Sequence, residues 1–153
     1  MTDDRLPMAV TLMVRDRCLC LAAQRAARSL ARRFDTALRP VGLTNGQFSL
    51  LMALNRPDPP RISDLAPFLA MDRTTLTAAL KVLERQGLAA TTPDPTDRRN
   101  RRVSLTDQGH ARLIAALPLW RAAHDRLDAA LAETGTPPPH MALNAVTQAC
   151  ATE

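Results

Sequence analysis

Tyrosine is missing from this chain, and aromatic residues of every kind make up only 3% of its 153 residues. A core must then be assembled from Leu, Ala, Val and Met. Such a composition favours helices, because Ala and Leu lose little entropy on entering one. Cysteine is also scarce: Cys18, Cys20 and Cys150 do not make the framework of a small secreted disulfide domain. Long apolar runs are lacking. The uncharged stretches near the start, 6–14 and 18–24, are far too short to span a bilayer, and Asp3, Asp4 and Arg5 stand where a signal peptide would open. These absences predict a cytoplasmic chain with no membrane partner. His110, His124 and His140 have no zinc-spaced Cys/His cluster around them, and the first two are about 21 Å apart along a straight helix. There is no nucleophile with a base and an orienting acid, and no glycine-rich phosphate loop. The expectation is no catalytic residue, no metal, no cofactor and no enzyme.

What is present suits one domain with a sizeable core, since 46% of the residues are apolar. The formal net charge is +5 and the pI about 10.4, the electrostatic footprint of a polyanion binder. Where the arginines lie matters more than their sum.

Residues 1–14 read as a loose arm that orders on a partner. Over 15–39 Cys20, Ala23, Ala27, Leu30, Phe34 and Leu38 recur at spacings of three and four, one apolar stripe on a helix that Pro40 ends. Thr44 and Gln47 make a capping box, and Leu43 with Phe48 a hydrophobic staple, so a second helix begins there. It runs through Leu50, Leu51, Ala53 and Leu54 until Arg56-Pro57-Asp58-Pro59-Pro60 stops it. A short helix over 63–70 follows, with Ser63 as its cap and Pro67 late in its first turn. After Met71, Asp72 caps another helix that ends at Gly87. Two helices joined so tightly make a helix-turn-helix. Residues 88–92 and 101–105 read as strands joined by the loop 93–100, a hairpin placed as a wing. Thr106 caps a long helix over about 107–133, which Pro118 should kink. Residues 135–139 break the chain, and a last helix covers about 140–151.

The second helix of the helix-turn-helix divides by face. Leu76, Leu80 and Leu83 point inward; Arg73, Thr74, Thr77, Ala78 and Lys81 line the other side. An arginine, two threonines and a lysine on one stripe suit base edges and phosphates in a major groove. The wing carries Arg98, Arg99, Arg101 and Arg102, whose forks match phosphates or enter a narrow minor groove. Strand alternation, if it extends that far, aims Arg99 and Arg101 to one side and Arg98 and Arg102 to the other. Asp97 is placed to pair with one arginine and stiffen the loop.

Taken as an ordered set, Arg61-Ile62-Ser63-Asp64-Leu65-Ala66, Asp72-Arg73-Thr74-Thr75-Leu76-Thr77, Leu83-Glu84-Arg85-Gln86-Gly87-Leu88, Asp94-Pro95-Thr96-Asp97-Arg98-Arg99 and Ser104-Leu105-Thr106-Asp107-Gln108-Gly109 resemble the MarR (multiple-antibiotic-resistance regulator) family. The resemblance spans roughly 15–133, and Pro67 stands where that family usually has a polar residue. It implies a mainly α fold, a winged helix-turn-helix with a small β-hairpin wing and an intertwined helical dimerisation region. Within a single domain over 1–153, residues 44–105 would be the DNA-binding lobe, and 10–40 and 106–153 the dimerisation helices. It implies a homodimeric, sequence-specific transcriptional regulator on a pseudo-palindromic double-stranded operator, a repressor released by a small-molecule effector or an oxidant. Dimerisation has independent support: a winged helix needs only about seventy residues, so the Ala- and Leu-rich terminal helices need another surface to cover.

Two sensing modes stay open. An effector pocket where the dimer helices meet the DNA lobe would draw on Arg15, Gln47, Phe48, Met52, Trp120 and His124, with Trp120 equally suited to anchoring the core. Alternatively, Cys20 aligns with the reactive cysteine of the family's organic-hydroperoxide sensors by its spacing to Arg28 and to Leu43-Thr44. Those sensors hold their thiolate with tyrosines, which this chain lacks. The apolar stripe predicts a buried Cys20. Cys18 and Cys20, about 200° apart on one helix, cannot pair in place, which leaves Cys150 as a partner across a dimer.

Overall fold

The computed structural model describes residues 5–151. Seven α-helices, one 3-10 turn (Arg39–Val41, directly after α2) and one hairpin follow in order among the described residues: α1 (Met8–Arg17), α2 (Leu19–Leu38), α3 (Asn45–Leu54), α4 (Ile62–Phe68), α5 (Arg73–Arg85), β1 (Ala89–Pro93), β2 (Arg101–Leu105), α6 (Asp107–Glu133) and α7 (Pro139–Cys150). This is a mainly helical winged-helix architecture.

The start of the chain differs from the expected arm. Residues 1–4 lie outside the described residues, but Pro7 leads directly into α1. No residue of α1 is buried, and its apolar side chains share no face, which is why no helical stripe marks it in the sequence. The single helix expected over 15–39 is two. The chain turns extended at Cys18 (φ −74°, ψ 104°), whose Sγ accepts from the Leu21 backbone N–H at 3.4 Å and caps α2. Cys18 and Cys20 therefore do not share a helix.

Local signals govern most of the other boundaries. Thr44 and Gln47 form the capping box of α3, with Thr44 Oγ1 accepting from Gln47 N at 3.2 Å and Gln47 Oε1 from Thr44 N at 2.9 Å. Asp35 Oδ1 accepts from Asn45 N at 2.6 Å and fastens α2 to this turn. Asp72 caps α5 through Thr75 N at 2.8 Å, and Thr106 caps α6 through Gly109 N at 3.0 Å. Helix α6 continues through Pro118 without interruption. The carbonyl left without its N–H partner is that of Ile114, four residues back on the exposed side, where water can serve it.

Helix α4 corrects two expectations. Its N-cap is Arg61, not Ser63, whose hydroxyl instead donates to Asp64 Oδ1 at 3.3 Å, and Pro67 lies in its last turn rather than its first. The reason is tertiary. Val103 N donates to Pro60 O at 3.0 Å and Arg61 bridges to Arg102, so residues 60–61 are held extended against the hairpin and the helix starts as soon as it leaves it. After α4, Met71 N returns to Ala66 O at 2.9 Å and Ala70 N to Pro67 O at 3.1 Å, a Schellman closure with Ala70 left-handed at φ 50°.

The hairpin pairs antiparallel, from Ala89 opposite Leu105 to Pro93 opposite Arg101. The core lies inside the lobe that these elements build: Leu38, Leu51, Leu54, Leu65, Leu76, Leu83, Leu88 and Val103 are fully enclosed. Gly109 lets α6 meet the strand, since a Cβ there would stand 2.0 Å from Leu88 O. No helix among the described residues is long and apolar enough to cross a membrane.

Candidate nucleic-acid interface

Helix α5 separates its faces as its sequence pattern predicts. Leu76, Leu80 and Leu83 are buried, while Arg73, Thr74, Ala78 and Lys81 are exposed. Arg73 is the first residue of the helix, immediately after the Asp72 cap. Thr75 holds the Asp72 carboxyl below its ordinary range, first through its hydroxyl at 2.5 Å and then through its backbone N–H. Thr77 is half-buried and its hydroxyl donates to Arg73 O at 2.7 Å, so its proton is committed within the helix while its oxygen can still accept.

The wing arginines split differently from the expected alternation. Strand β2 begins only at Arg101, so Arg98 and Arg99 lie in the turn before it and follow no strand parity. Arg98, Arg99 and Arg101 are exposed, and the Arg99 side chain, at 95%, is almost entirely in solvent. Its guanidinium lies 3.6 Å from Asp97, a loose pair that leaves it open to an outside anion. Asp97 stiffens the tip through one backbone and one side-chain donor: Oδ1 accepts from Arg99 N at 3.0 Å and Oδ2 from Asn100 Nδ2 at 3.2 Å.

Arg102 turns inward to Asp94. Among the described polar and charged residues Asp94 is the fully buried one. Its carboxylate accepts from Arg61 Nε at 2.6 Å, Arg102 Nε at 3.1 Å, Thr96 N at 2.8 Å and Thr96 Oγ1 at 2.7 Å. The Thr96 hydroxyl and backbone N–H, followed by the two guanidiniums, hold the Asp94 carboxyl well below the usual carboxylate range against the opposing effect of burial. Asp94 reciprocally raises Arg61. Sequence reasoning assigned no role to Asp94 or Arg61. The only available signal was an acid at the start of an arginine-rich loop, and Asp97 carried the same signal.

The expected pocket residues come together only in part. Phe48, Met52 and Trp120 line a cleft of about 530 Å³ between α3, α4 and α6, closed by Leu117, Leu69 and Phe68. Trp120 stacks on Phe48 with ring centroids 5.9 Å apart, and His124 continues the row, 4.4 Å from Trp120 and 5.3 Å from Phe34. His124 lines a separate apolar groove of about 510 Å³ with Leu30, Phe34, Leu127, Leu131 and Leu143. Gln47 is outside the cleft, occupied by its capping box and by Gln86 Oε1 at 3.2 Å. Arg15 lies on α1, paired with Asp16 at 2.7 Å, and is not among the cleft's lining residues. The cation at the cleft is Arg56, 4.9 Å above the Phe68 ring, which the sequence presents only as part of a helix stop.

All three thiols are free. Cys20, expected to be buried by its stripe, is exposed together with Cys150, because none of the described residues covers the N-terminal half of α2. Among the described residues no His, Cys, Asp and Glu cluster could hold a metal ion.

The sequence pattern of the MarR family matches residues 43–100. The chain is 38% identical to the Mycobacterium tuberculosis transcriptional regulator MosR, solved in complex with DNA; the match covers 88% of this chain and 97% of that one, with a TM-score of 0.79. It is 31% identical to the transcriptional repressor CouR bound to a 23-mer DNA duplex, over 96% of this chain and 99% of that one, with a TM-score of 0.73. CouR bound to p-coumaroyl-CoA matches at 29% identity over 92% and 96%, with a TM-score of 0.72. The transcriptional activatory protein BadR of Rhodopseudomonas palustris is 37% identical over 100 residues, 63% of this chain and 57% of BadR, so the match spans little more than half the length of that relative.

Proposed function

The chain belongs to the MarR family, and from that premise we propose that it is a homodimeric, sequence-specific DNA-binding transcriptional regulator, a repressor that a small-molecule effector releases. The observation that carries the reading is the joint exposure of Arg73, Thr74 and Lys81 on α5 and of Arg98, Arg99 and Arg101 on the wing. In the dimer, residues 44–105 are the DNA lobe of each copy, and the helices over 10–40 and 106–153 join the copies. A twofold axis then presents two α5 helices to successive major grooves of a pseudo-palindromic duplex. Arg73, Thr74, Thr77 and Lys81 face base edges and nearby phosphates, and the wing arginines grip the backbone or the minor groove.

The cleft of Phe48, Met52 and Trp120 takes the effector. Its walls suit an apolar, flat molecule, and Arg56 at its edge suits an acidic group on that molecule. Phe68 and Leu69 line the cleft and directly precede the left-handed Ala70 turn into α5, so filling the cleft bears on the recognition helix. The p-coumaroyl-CoA complex of CouR supports effector control of this kind.

Footprinting on a selected operator tests the reading: two protected half-sites about one helical turn apart are expected, and one asymmetric half-site overturns it. Arg73→Ala should cost about 1–3 kcal/mol of binding and relax sequence preference. Equal loss on specific and random DNA would remove the base-reading role.

A thiol switch is the second reading, favoured by the exposure of Cys20 and Cys150 and by Cys18 at the cap of α2. Titrating operator binding with hydroperoxide separates the two. Release of the wild type at low peroxide with Cys20→Ser unaffected would select the thiol.

A further inference from the structure

A two-stranded hairpin is marginal by itself in water, yet this wing must present arginines at a defined place. We propose that Asp94 is the positioning residue of DNA recognition: by taking Arg61 and Arg102 on one buried carboxylate, it locks the wing to the first helix of the helix-turn-helix and fixes where Arg98 and Arg99 stand relative to α5. The proposal rests on the DNA-binding reading above.

The geometry is that of a clamp. Arg61 is the N-cap of α4 and reaches across 33 positions of sequence to Asp94 Oδ2 at 2.6 Å. Its Nη2 also donates to Thr96 Oγ1 at 3.2 Å, so one guanidinium holds both ends of the Asp94–Thr96 turn. From the other strand Arg102 Nε donates to the same Oδ2 at 3.1 Å while its Nη1 donates to Pro59 O at 2.9 Å. The segment 59–61, the hairpin and the start of α4 therefore close on one side chain. Asp94 N donates to Asn100 O at 2.9 Å, and Asn100 N to Asp97 O at 2.8 Å, which carries the constraint to the loop that holds Arg98 and Arg99.

The charge is essential to this arrangement. Two guanidinium donors converge on one oxygen, and they repel each other unless an anion stands between them. An amide at this position keeps the shape but loses the charge and, in one orientation, turns its own N–H₂ towards the arginines. Asp94→Asn thus releases the Arg61 and Arg102 side chains together and leaves the wing held to 59–61 by backbone alone, through Val103 N on Pro60 O and the Arg61–Arg102 bridge. Asp94 touches no DNA in this account. It acts through the placement of arginines that do.

The test is a double-mutant cycle read by DNA binding. The full-length wild type, Asp94→Asn, Arg99→Ala and the double variant are titrated against a mixed-sequence duplex of roughly three helical turns at several salt concentrations. Asp94→Asn is expected to weaken binding about tenfold and to flatten the salt slope by about one to two, since each lost phosphate contact removes about 0.9. Arg99→Ala should weaken the wild type several-fold yet cost little more in the Asp94→Asn background. A merely structural role would leave that second cost undiminished, and an undiminished cost, or wild-type affinity and slope for Asp94→Asn, overturns the proposal. Should Asp94→Asn fail to fold by circular dichroism, Arg61→Met, which leaves Asp94 paired with Arg102, carries the same cycle with a smaller first loss. Wild type that binds no duplex overturns the DNA-binding reading and this proposal with it. Wild type that binds while the cycle is additive overturns this proposal alone.

Discussion

The lobe between α3 and β2 and the helices at the two ends of the chain draw on the same Leu, Ala, Val and Met, yet they meet different fates. In the lobe Leu51, Leu54, Leu65, Leu76 and Leu83 are enclosed by their own chain. At the ends α1 and α7 bury nothing, and Leu12, Met13, Val14, Met141, Leu143 and Val146 stay exposed. Exposed apolar patches of that extent mark interaction surfaces. The lobe shares one core with Leu38 of α2 and with Leu113 and Ala116 of α6, whereas α1 and α7 add no buried residue to it.

The largest expected effect tests the seam where α6 packs on the lobe. Gly109→Val puts a branched side chain where even a Cβ meets Leu88 O at 2.0 Å, between a strand end and a helix that cannot both yield. A loss of about 3 kcal/mol or outright failure to fold should appear in denaturant melts.

The next prediction contrasts the regions directly. Leu51→Ala should cost about 2–5 kcal/mol at every protein concentration, because its partners are internal. Leu143→Ser and Val146→Ser, made together, change side chains already exposed in the single chain. Their effect should appear as a lower Tm that depends on concentration and as a shift toward monomer in sedimentation. A concentration-independent loss would mean that these helices serve their own chain.

Acid provides a third contrast, now within the lobe. The folded-state pKa of Asp94 is depressed, so its contribution is complete above the unfolded carboxylate value of about 3.9 and fades as pH falls towards the folded value. Acid titration of the wild type should show destabilisation beginning below about pH 4 that Asp94→Asn lacks. Parallel acid curves for the two proteins would show that Asp94 is not the group responsible. Asp72, depressed by Thr75, sheds its contribution in the same direction in both proteins and cancels in the difference.

The smallest effect concerns the turn between α4 and α5. Ala70 sits at φ 50°, which costs an L-residue roughly 1–2 kcal/mol, while glycine loses more entropy on folding. Ala70→Gly should therefore stabilise by about 0.5 kcal/mol, readable as a small rise in Tm. A drop would show that the alanine methyl is packed rather than strained.

Features resolved within a few residues were legible in advance. The Thr44–Gln47 box, the Asp72 and Thr106 caps and the 101–105 strand all appear as expected, because a cap or a strand pattern is a short-range contract between neighbours. The buried and exposed faces of α5 were equally readable from period alone. Ser63 failed as a cap because the hairpin holds residues 60–61, information that lies some forty residues away in the chain. Arg56 was taken as part of a stop, since nothing local indicates that Phe68 will come beneath it.

The chain's order of caps, periods and charges thus determined by itself that there would be a helix-turn-helix with a wing, and which side chains of α5 would face outward. Those are consequences of backbone geometry acting over one or two turns. Only the tertiary structure decided which of two wing acids would be buried, which of four wing arginines would turn inward, and which aromatic residues would share a cleft. Each of these depends on close packing between segments distant in sequence, where burial sets the strength of a charge interaction and separates the solvated Arg99 from Arg102 held on Asp94.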